Sequence, residues 1–362
     1  MSTSRRRFAQ LGVLSAFGTL TPRWALAEIG ADEACHPVVE AFIRDHHFQG
    51  VILLGRQGKP AFFRLVGPSD IETKKPLALD TRFGLASISK MFTAVTILRL
   101  VEQNRLSLDR PIGTYLPWYR KDLGERLTLR RLLANNSGVP NTFSPVWMAD
   151  ASVMDRPMST VDAVHRYCEA DLLFNPGERF DYSLCNWILV LAIVESVTKQ
   201  EFATATQEIT LRPLGLTQTS TEFDDHTAIP YTDTTPPLRI PYKRLPFLAA
   251  SGGYYSNATD LLEAGHKIFD EHFLKPESFH SLTTRETNAY ALGGDVSNIH
   301  VGANTVKAAW DTGSAAGYRS LLGHRLDGQG TVVILNHTSM DSDILDQFAY
   351  ALLTAYASTK TG

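Results

Sequence analysis

The feature that most constrains the fold of this chain is that its strand signals sit at its two ends, with helix-patterned sequence between them. Near the start, apolar runs at Val51–Leu54 and Ala61–Leu65 flank the turn-like Gln57-Gly58-Lys59-Pro60 and read as a hairpin. Near the end, Tyr318–His324 and Thr331–Asn336 flank Asp327-Gly328-Gln329-Gly330 and give a second hairpin. A helix over Pro37–His46 covers the first hairpin, and an apolar-faced helix over Asp343–Tyr356 closes the chain. The middle is helical and loop-rich, with helix patterns at Thr93–Gln103, around Thr128–Leu133 and at Asn186–Thr198. Prolines and threonines crowd between Ile229 and Pro246, which reads as an irregular surface loop. This arrangement predicts an α+β protein: an antiparallel sheet built from both termini and flanked by helices, with an inserted, mostly helical domain. The expected boundaries are residues 28–95 with 250–362 for the sheet domain and 96–249 for the insertion.

Ahead of these elements, Ser4-Arg5-Arg6-Arg7-Phe8-Ala9-Gln10 leads into an apolar stretch from Leu11 to Leu20 and then Ala25-Leu26-Ala27. That is the pattern of a twin-arginine signal with a small-x-small cleavage site, leaving a mature chain from about Glu28. The expectation is therefore a periplasmic or secreted protein that meets the twin-arginine export machinery transiently. The apolar stretch is too short for stable membrane insertion. Without residues 1–27, 31 basic side chains face 38 acidic ones, a net charge of −7, which disfavours nucleic acid or an anionic membrane as the main partner. Cys35, Cys168 and Cys185 are too few for a disulfide scaffold and lack metal-site spacing. Cys168 and Cys185 either form one bridge or remain buried thiols.

Chemistry enters at Ser87-Ile88-Ser89-Lys90. Phe83-Gly84-Leu85-Ala86 precedes it, and Met91 to Leu100 continues with apolar residues at helical spacing, so the pair lies in the first turn of a buried helix. Three helical residues turn the side-chain direction by roughly 300° and advance about 4.5 Å, which puts Ser87 and Lys90 on one face within reach of each other. A serine hydroxyl is a poor nucleophile until a neighbour takes its proton. A lysine can do so only when neutral, a state that burial favours.

Two further places hold groups such a pair needs. Pro176-Gly177-Glu178-Arg179-Phe180-Asp181-Tyr182-Ser183 is a turn running into a tyrosine just before an apolar helix; Tyr182 either relays the proton or is a packed surface residue. Asp311-Thr312-Gly313-Ser314 lies near what reads as an edge strand. There the Ser314 N–H, with that of Ser87, either forms an oxyanion hole or belongs to a plain strand-to-turn junction. Gly252-Gly253 and Gly313 permit either close backbone approach to a ligand or a turn. The histidines form no metal pattern, and phosphate loops and dinucleotide fingerprints are absent from the sequence, so no cofactor is implied.

These motifs, in their order, resemble the serine beta-lactamase and penicillin-binding protein superfamily, and within it the class C-like esterases, peptidases and transacylases. The likeness covers nearly the whole mature chain. Besides the serine–lysine segment it includes Leu106-Ser107-Leu108-Asp109, Asn136-Ser137-Gly138-Val139-Pro140, Phe174-Asn175-Pro176-Gly177-Glu178 with Tyr182-Ser183, Pro213-Leu214-Gly215-Leu216, Ser251-Gly252-Gly253-Tyr254-Tyr255-Ser256 and Tyr290-Ala291-Leu292-Gly293. The resemblance implies a beta-lactamase/transpeptidase-like fold, Ser87 as the acylated nucleophile, Lys90 as its base partner, Tyr182 as the relay, and the Ser87 and Ser314 N–H groups as the oxyanion hole.

Two departures bear on the substrate. The family's Tyr-x-Asn motif has Leu184 in its third place, a side chain without hydrogen-bonding capacity, and Asn186 lies two places on and faces away in a helix. The family's Lys-Thr-Gly is Asp311-Thr312-Gly313, and an aspartate there would repel the carboxylate of a beta-lactam or a peptide C-terminus. The expectation is a serine hydrolase acting on a small neutral ester or amide. The alternatives are a beta-lactamase or D-Ala-D-Ala carboxypeptidase, and a non-catalytic binder of an envelope fragment. Pocket walls are expected from the helical insertion and from the loop between Tyr231 and Tyr242, whose aromatic residues otherwise pin that loop to the surface.

Overall fold

The computed structural model describes residues 29–150, 152–153, 156–241, 245–270, 273–287 and 290–358. The expected signal segment, residues 1–27, lies outside the described residues, as does Tyr242.

Both hairpins form, and they join into one sheet. Among the described residues its six strands run, from edge to edge, Lys59–Val66, Gly50–Arg56, Thr331–Asn336, Tyr318–Arg325, Asn304–Ala315 and Val296–Val301, every neighbouring pair antiparallel. The first and last parts of the chain meet in its centre, where Val51 pairs with Leu335 and Leu53 with Val333. The first hairpin turns at Gln57 and Gly58, both at positive φ (51° and 68°), the backbone that suits the twist of a two-residue hairpin turn.

The Val51-Ile52-Leu53-Leu54 run is apolar throughout because the sheet is covered on both sides. Side chains alternate across a strand, so Ile52 and Leu54 enter a core beneath the helices Ile29–His46 and Ser342–Ser358, where Phe42 stacks on Phe348 at 3.8 Å. Val51 and Leu53 enter the larger core on the other face, with Ser89–Glu102, Leu184–Thr198 and Ala258–Phe269. The Leu184–Thr198 helix is apolar on all sides, and every residue from Cys185 to Val194 is buried. Each of its buried leucine, isoleucine and valine side chains contributes on the order of 1.5–3 kcal/mol when withdrawn from water. The nucleophile segment, the tyrosine loop and the Asp311 strand are thereby all fixed to one rigid body.

The strand carrying Asp311 lies next to the edge strand Val296–Val301, as expected; that neighbour pairs only with residues 304–309, and residues 311–315 pair with Tyr318–Arg325 alone among the described strands. Two sequence expectations need correction. The first helix starts well before Pro37, at Ile29, with the proline inside it. Tyr231 is fully buried and donates its hydroxyl to the Asp70 carboxylate, while that hydroxyl oxygen accepts the Glu72 N–H at 3.3 Å, so this aromatic anchors its loop instead of walling a pocket. Cys168 and Cys185 are both free and buried: the Cys185 thiol donates to the Tyr167 carbonyl at 3.1 Å, and the Cys168 thiol to the Cys185 carbonyl at 3.6 Å.

Candidate active site

Ser87 sits in a tight 3-10 turn, Ala86–Ile88, that runs straight into the Ser89–Glu102 helix. Ala86 adopts φ +45°, a left-handed backbone uncommon for a residue with a Cβ, and the turn is held by Leu85 N–H on the Tyr254 carbonyl and Ile88 N–H on the Leu85 carbonyl. Packing keeps the turn sharp. Gly313 of the neighbouring strand lies so close that a Cβ there would fall 2.1 Å from the Leu85 carbonyl oxygen and 2.4 Å from Ser320 Oγ. Close approach, not positive φ, is what requires this glycine.

One helical turn on, Lys90 Nζ reaches Ser87 Oγ at 3.1 Å and also donates to the Ser251 carbonyl. The side chain is 1% exposed and lies between two rings, with Nζ 5.0 Å from the Tyr182 centroid and 5.5 Å from that of Trp187. Tyr182 OH stands 2.9 Å from Ser87 Oγ on the other side. Lys90, from the same helical turn, and Tyr182, from a loop distant in sequence, thus converge on one hydroxyl.

What holds Tyr182 there was not assigned a role from the sequence. Asn135, at φ +50° in the Asn-Asn-Ser-Gly loop, accepts the Asp181 N–H on its carbonyl and the Ser183 N–H on its side-chain oxygen at 3.4 Å. Asn186 donates to that same oxygen at 3.0 Å and accepts from Ser137 Oγ at 2.6 Å. Asn186 is therefore a buried strut under the tyrosine loop and does not stand in for the missing asparagine at position 184. The loop's asparagine run was the only signal for this network in the sequence.

Leu184 opens the helix after Tyr182 and lines a cleft of about 220 Å³ beside Ser87. Phe143, Trp147, Leu245 and Leu248 share that lining, and no charged side chain among the described residues does. Gly252 and Gly253 form part of its floor, so the glycine pair lies at the ligand side. Ser314 closes the cleft at the strand end, followed by Ala315 and Ala316, whereas Thr312 is exposed and does not contribute.

Asp311 also stays out of the cleft. Its Oδ1 accepts the Asp295 N–H at 3.2 Å, in a space that exists because residue 294 is glycine: a Cβ there would lie 2.6 Å from that oxygen. Burial pushes its carboxyl up to about 7, reinforced by the Asp295 charge and opposed by the Asp295 N–H and by Lys90. The neighbouring Tyr290 hydroxyl is likewise driven well above its ordinary value, by burial first and then by Tyr182 and Asp311. The direct charge repulsion expected of Asp311 against a substrate therefore gives way to a buried carboxyl behind the site.

A two-sided antiparallel sheet, with a serine–lysine pair opening the helix against it and a tyrosine from the helical part, defines the beta-lactamase/transpeptidase-like class of serine hydrolase folds. Residues 36–355 match the Beta-lactamase family, and the chain belongs to it. Among curated relatives, it is 30% identical to Esterase EstB of Burkholderia gladioli over 223 residues, 56% of this chain and 55% of that protein. It is 29% identical to Protein flp of Staphylococcus aureus over 187 residues, 51% of this chain and 37% of that one. The matches thus span about half or less of those relatives. Among solved structures, a penicillin binding protein from Bacillus halodurans superposes with a TM-score of 0.74 at 22% identity, over 88% of this chain and 98% of that one. EstCE1, a hydrolase with promiscuous acyltransferase activity, superposes with 0.71 at 20% identity, over 90% and 98%. These structural likenesses carry the fold.

Proposed function

We propose that this protein hydrolyses a small neutral carboxylic ester through an acyl-enzyme on Ser87. The observation that carries the reading is the pair of contacts on one hydroxyl, Lys90 Nζ at 3.1 Å and Tyr182 OH at 2.9 Å, at the edge of a cleft whose described lining holds no charged side chain. Ser87 Oγ attacks the carbonyl carbon and its proton passes to the Lys90–Tyr182 pair. The negative oxygen of the tetrahedral intermediate rests on the Ser87 and Ser314 N–H groups, an arrangement supported by the place of both residues on the cleft lining. The alcohol leaves with the proton, and water then releases the acid by the same steps in reverse, restoring Ser87. Leu184 in the cleft offers no amide to grip a peptide or lactam, which weighs for an ester over a beta-lactam or D-alanyl peptide. We also take the protein to be exported in folded form, on the strength of the Arg5-Arg6-Arg7 start.

The test is intact-mass spectrometry after mixing with p-nitrophenyl butyrate, alongside steady-state turnover. A butyryl adduct on Ser87, absent in Ser87→Ala together with turnover, supports the reading. Unchanged turnover in Ser87→Ala sinks the mechanism, and the lack of both adduct and turnover favours a non-catalytic binder.

A further inference from the structure

Large apolar side chains exposed on the described surface are unevenly placed. Of seven, three fall in one seven-residue helix, Phe143–Ala149: Val146, Trp147 and Met148, the last 82% exposed. Single exposed apolar residues are ordinary, whereas a cluster marks a contact surface. This helix is firmly seated. Phe143 at its start is buried edge-on against Tyr167 at 5.1 Å and Phe247 at 5.6 Å, and Thr142 donates to the Tyr167 carbonyl.

Phe143 and Trp147 lie one helical turn apart, on the same face, and both line the cleft at Ser87. Leu184 and Leu248 also line it. Apolar surface therefore continues from the nucleophile past Phe143 to Trp147, and the exposed Met148 follows Trp147 in the same helix. At about 220 Å³ the cleft is smaller than the roughly 300 Å³ at which ligand pockets for drug-sized molecules begin, so an extended substituent must leave through its mouth. A seven-residue helix is about 10 Å long. At about 1.3 Å of reach per carbon, set by bonds of about 1.5 Å, that length matches about eight carbons.

Resting on the ester hydrolase reading above, we propose that the cleft and the Phe143–Ala149 helix together bind a medium-chain acyl group, with Trp147 and Met148 as the residues that set chain-length preference. The acyl side is assigned because that part of the substrate stays bonded to Ser87 while the alcohol departs. Each methylene laid on this surface is worth up to about a fourfold gain in kcat/KM.

The test measures kcat/KM for p-nitrophenyl acetate through decanoate, below micelle-forming concentrations, and for a series of alkyl acetates from ethyl to octyl. Wild type, Trp147→Ser, Met148→Ser and Leu238→Ser are compared; Leu238 is exposed and lies outside the cleft. The quantity read is the octanoate-to-acetate ratio within one preparation, which does not depend on how much of a variant is folded. The expected ratio in wild type exceeds about tenfold, falls by about fivefold or more in both helix variants, and stays as in wild type for Leu238→Ser. A flat or declining acyl series with measurable acetate turnover overturns this inference and leaves the hydrolase reading standing. Chain-length dependence confined to the alkyl acetates, or equal ratios in the helix variants and wild type, overturns it in the same way. No turnover of any ester and no adduct on Ser87 overturns both.

Discussion

Gly313 and Leu85 stand back to back: the absent side chain of one is the space occupied by the carbonyl of the other. The strand that ends at Ser314 is thereby pressed against the turn that presents Ser87. Gly313→Ala would put a methyl group 2.1 Å from the Leu85 oxygen, and neither partner is a flexible side chain. We expect a loss of about 1–3 kcal/mol in stability and a larger fractional loss in kcat than in KM, because the turn itself must shift. Thermal unfolding and ester kinetics on the same protein check both.

Tyr182→Phe removes a hydroxyl 2.9 Å from the Ser87 oxygen and leaves the ring beside Lys90 in place. The expected outcome is a fall in kcat of about 10²–10⁴ with little change in Tm. Retention of more than about half the activity would remove Tyr182 from the proton path.

Asp311 makes stability depend on pH in a direction opposite to that of most carboxylates. Its folded value of about 7 lies above the ordinary 3.8, so the folded chain holds a proton that the unfolded chain gives up. This contribution is complete below about pH 3.8 and is lost as pH rises through about 7. Asp311→Asn keeps an acceptor for the Asp295 N–H and removes the charge. The Tm of the variant relative to wild type should be higher at pH 8 than at pH 5, by an amount corresponding to at most about 3 kcal/mol. A pH-independent difference would show that the carboxyl titrates normally.

Asn186→Ala leaves Ser137 Oγ without its acceptor and takes a donor from Asn135, in a fully buried setting. A cost of about 1–3 kcal/mol follows from the unpaired groups, and because Asn135 also holds the backbone on both sides of Tyr182, kcat should fall with it. Tyr231→Phe provides the contrast. It strips the Asp70 carboxylate of a donor and should cost stability on a similar scale, about 1–3 kcal/mol, while the acyl-length profile stays as in wild type.

Comparing nitrocefin with p-nitrophenyl butyrate tests the consequence of Leu184. With no amide at that place in the cleft, kcat/KM for the ester should exceed that for nitrocefin by about a hundredfold or more. The reverse order would point to recognition through groups other than position 184.

The elements that were legible in the sequence are those whose pattern is local. Both hairpins carried their turn residues with them, and Ser87 with Lys90 needed only the helical repeat to be placed together. The Val296–Val301 edge strand was missed because its alternation is short and its turn is a lone Gly302 without the Asn-Gly or Asp-Gly signal. The aromatic loop misled for another reason: Tyr231 in sequence looks the same whether it faces a cleft or meets a carboxylate, and Asp70, its partner, is 161 positions away. The orientation of Asp311 likewise depends on Gly294 leaving room for it, a relation between two strands' worth of backbone that residue type alone does not record.

The pairing of Gly50 with Asn336 at the heart of the sheet has a meaning for the life of the chain before it is an enzyme. Gln49 N–H reaches Asn336 Oδ1 across 287 positions of sequence, so the Gly50–Arg56 strand gains its inner neighbour only after that whole stretch has been made. Until then the Gly50–Arg56 strand, apolar on both faces, keeps one ladder edge open, the condition in which strands pair with the wrong partner. Contacts of such long range also slow folding. A nascent form of this protein would thus depend on whatever shields that strand while the ribosome completes the last hairpin.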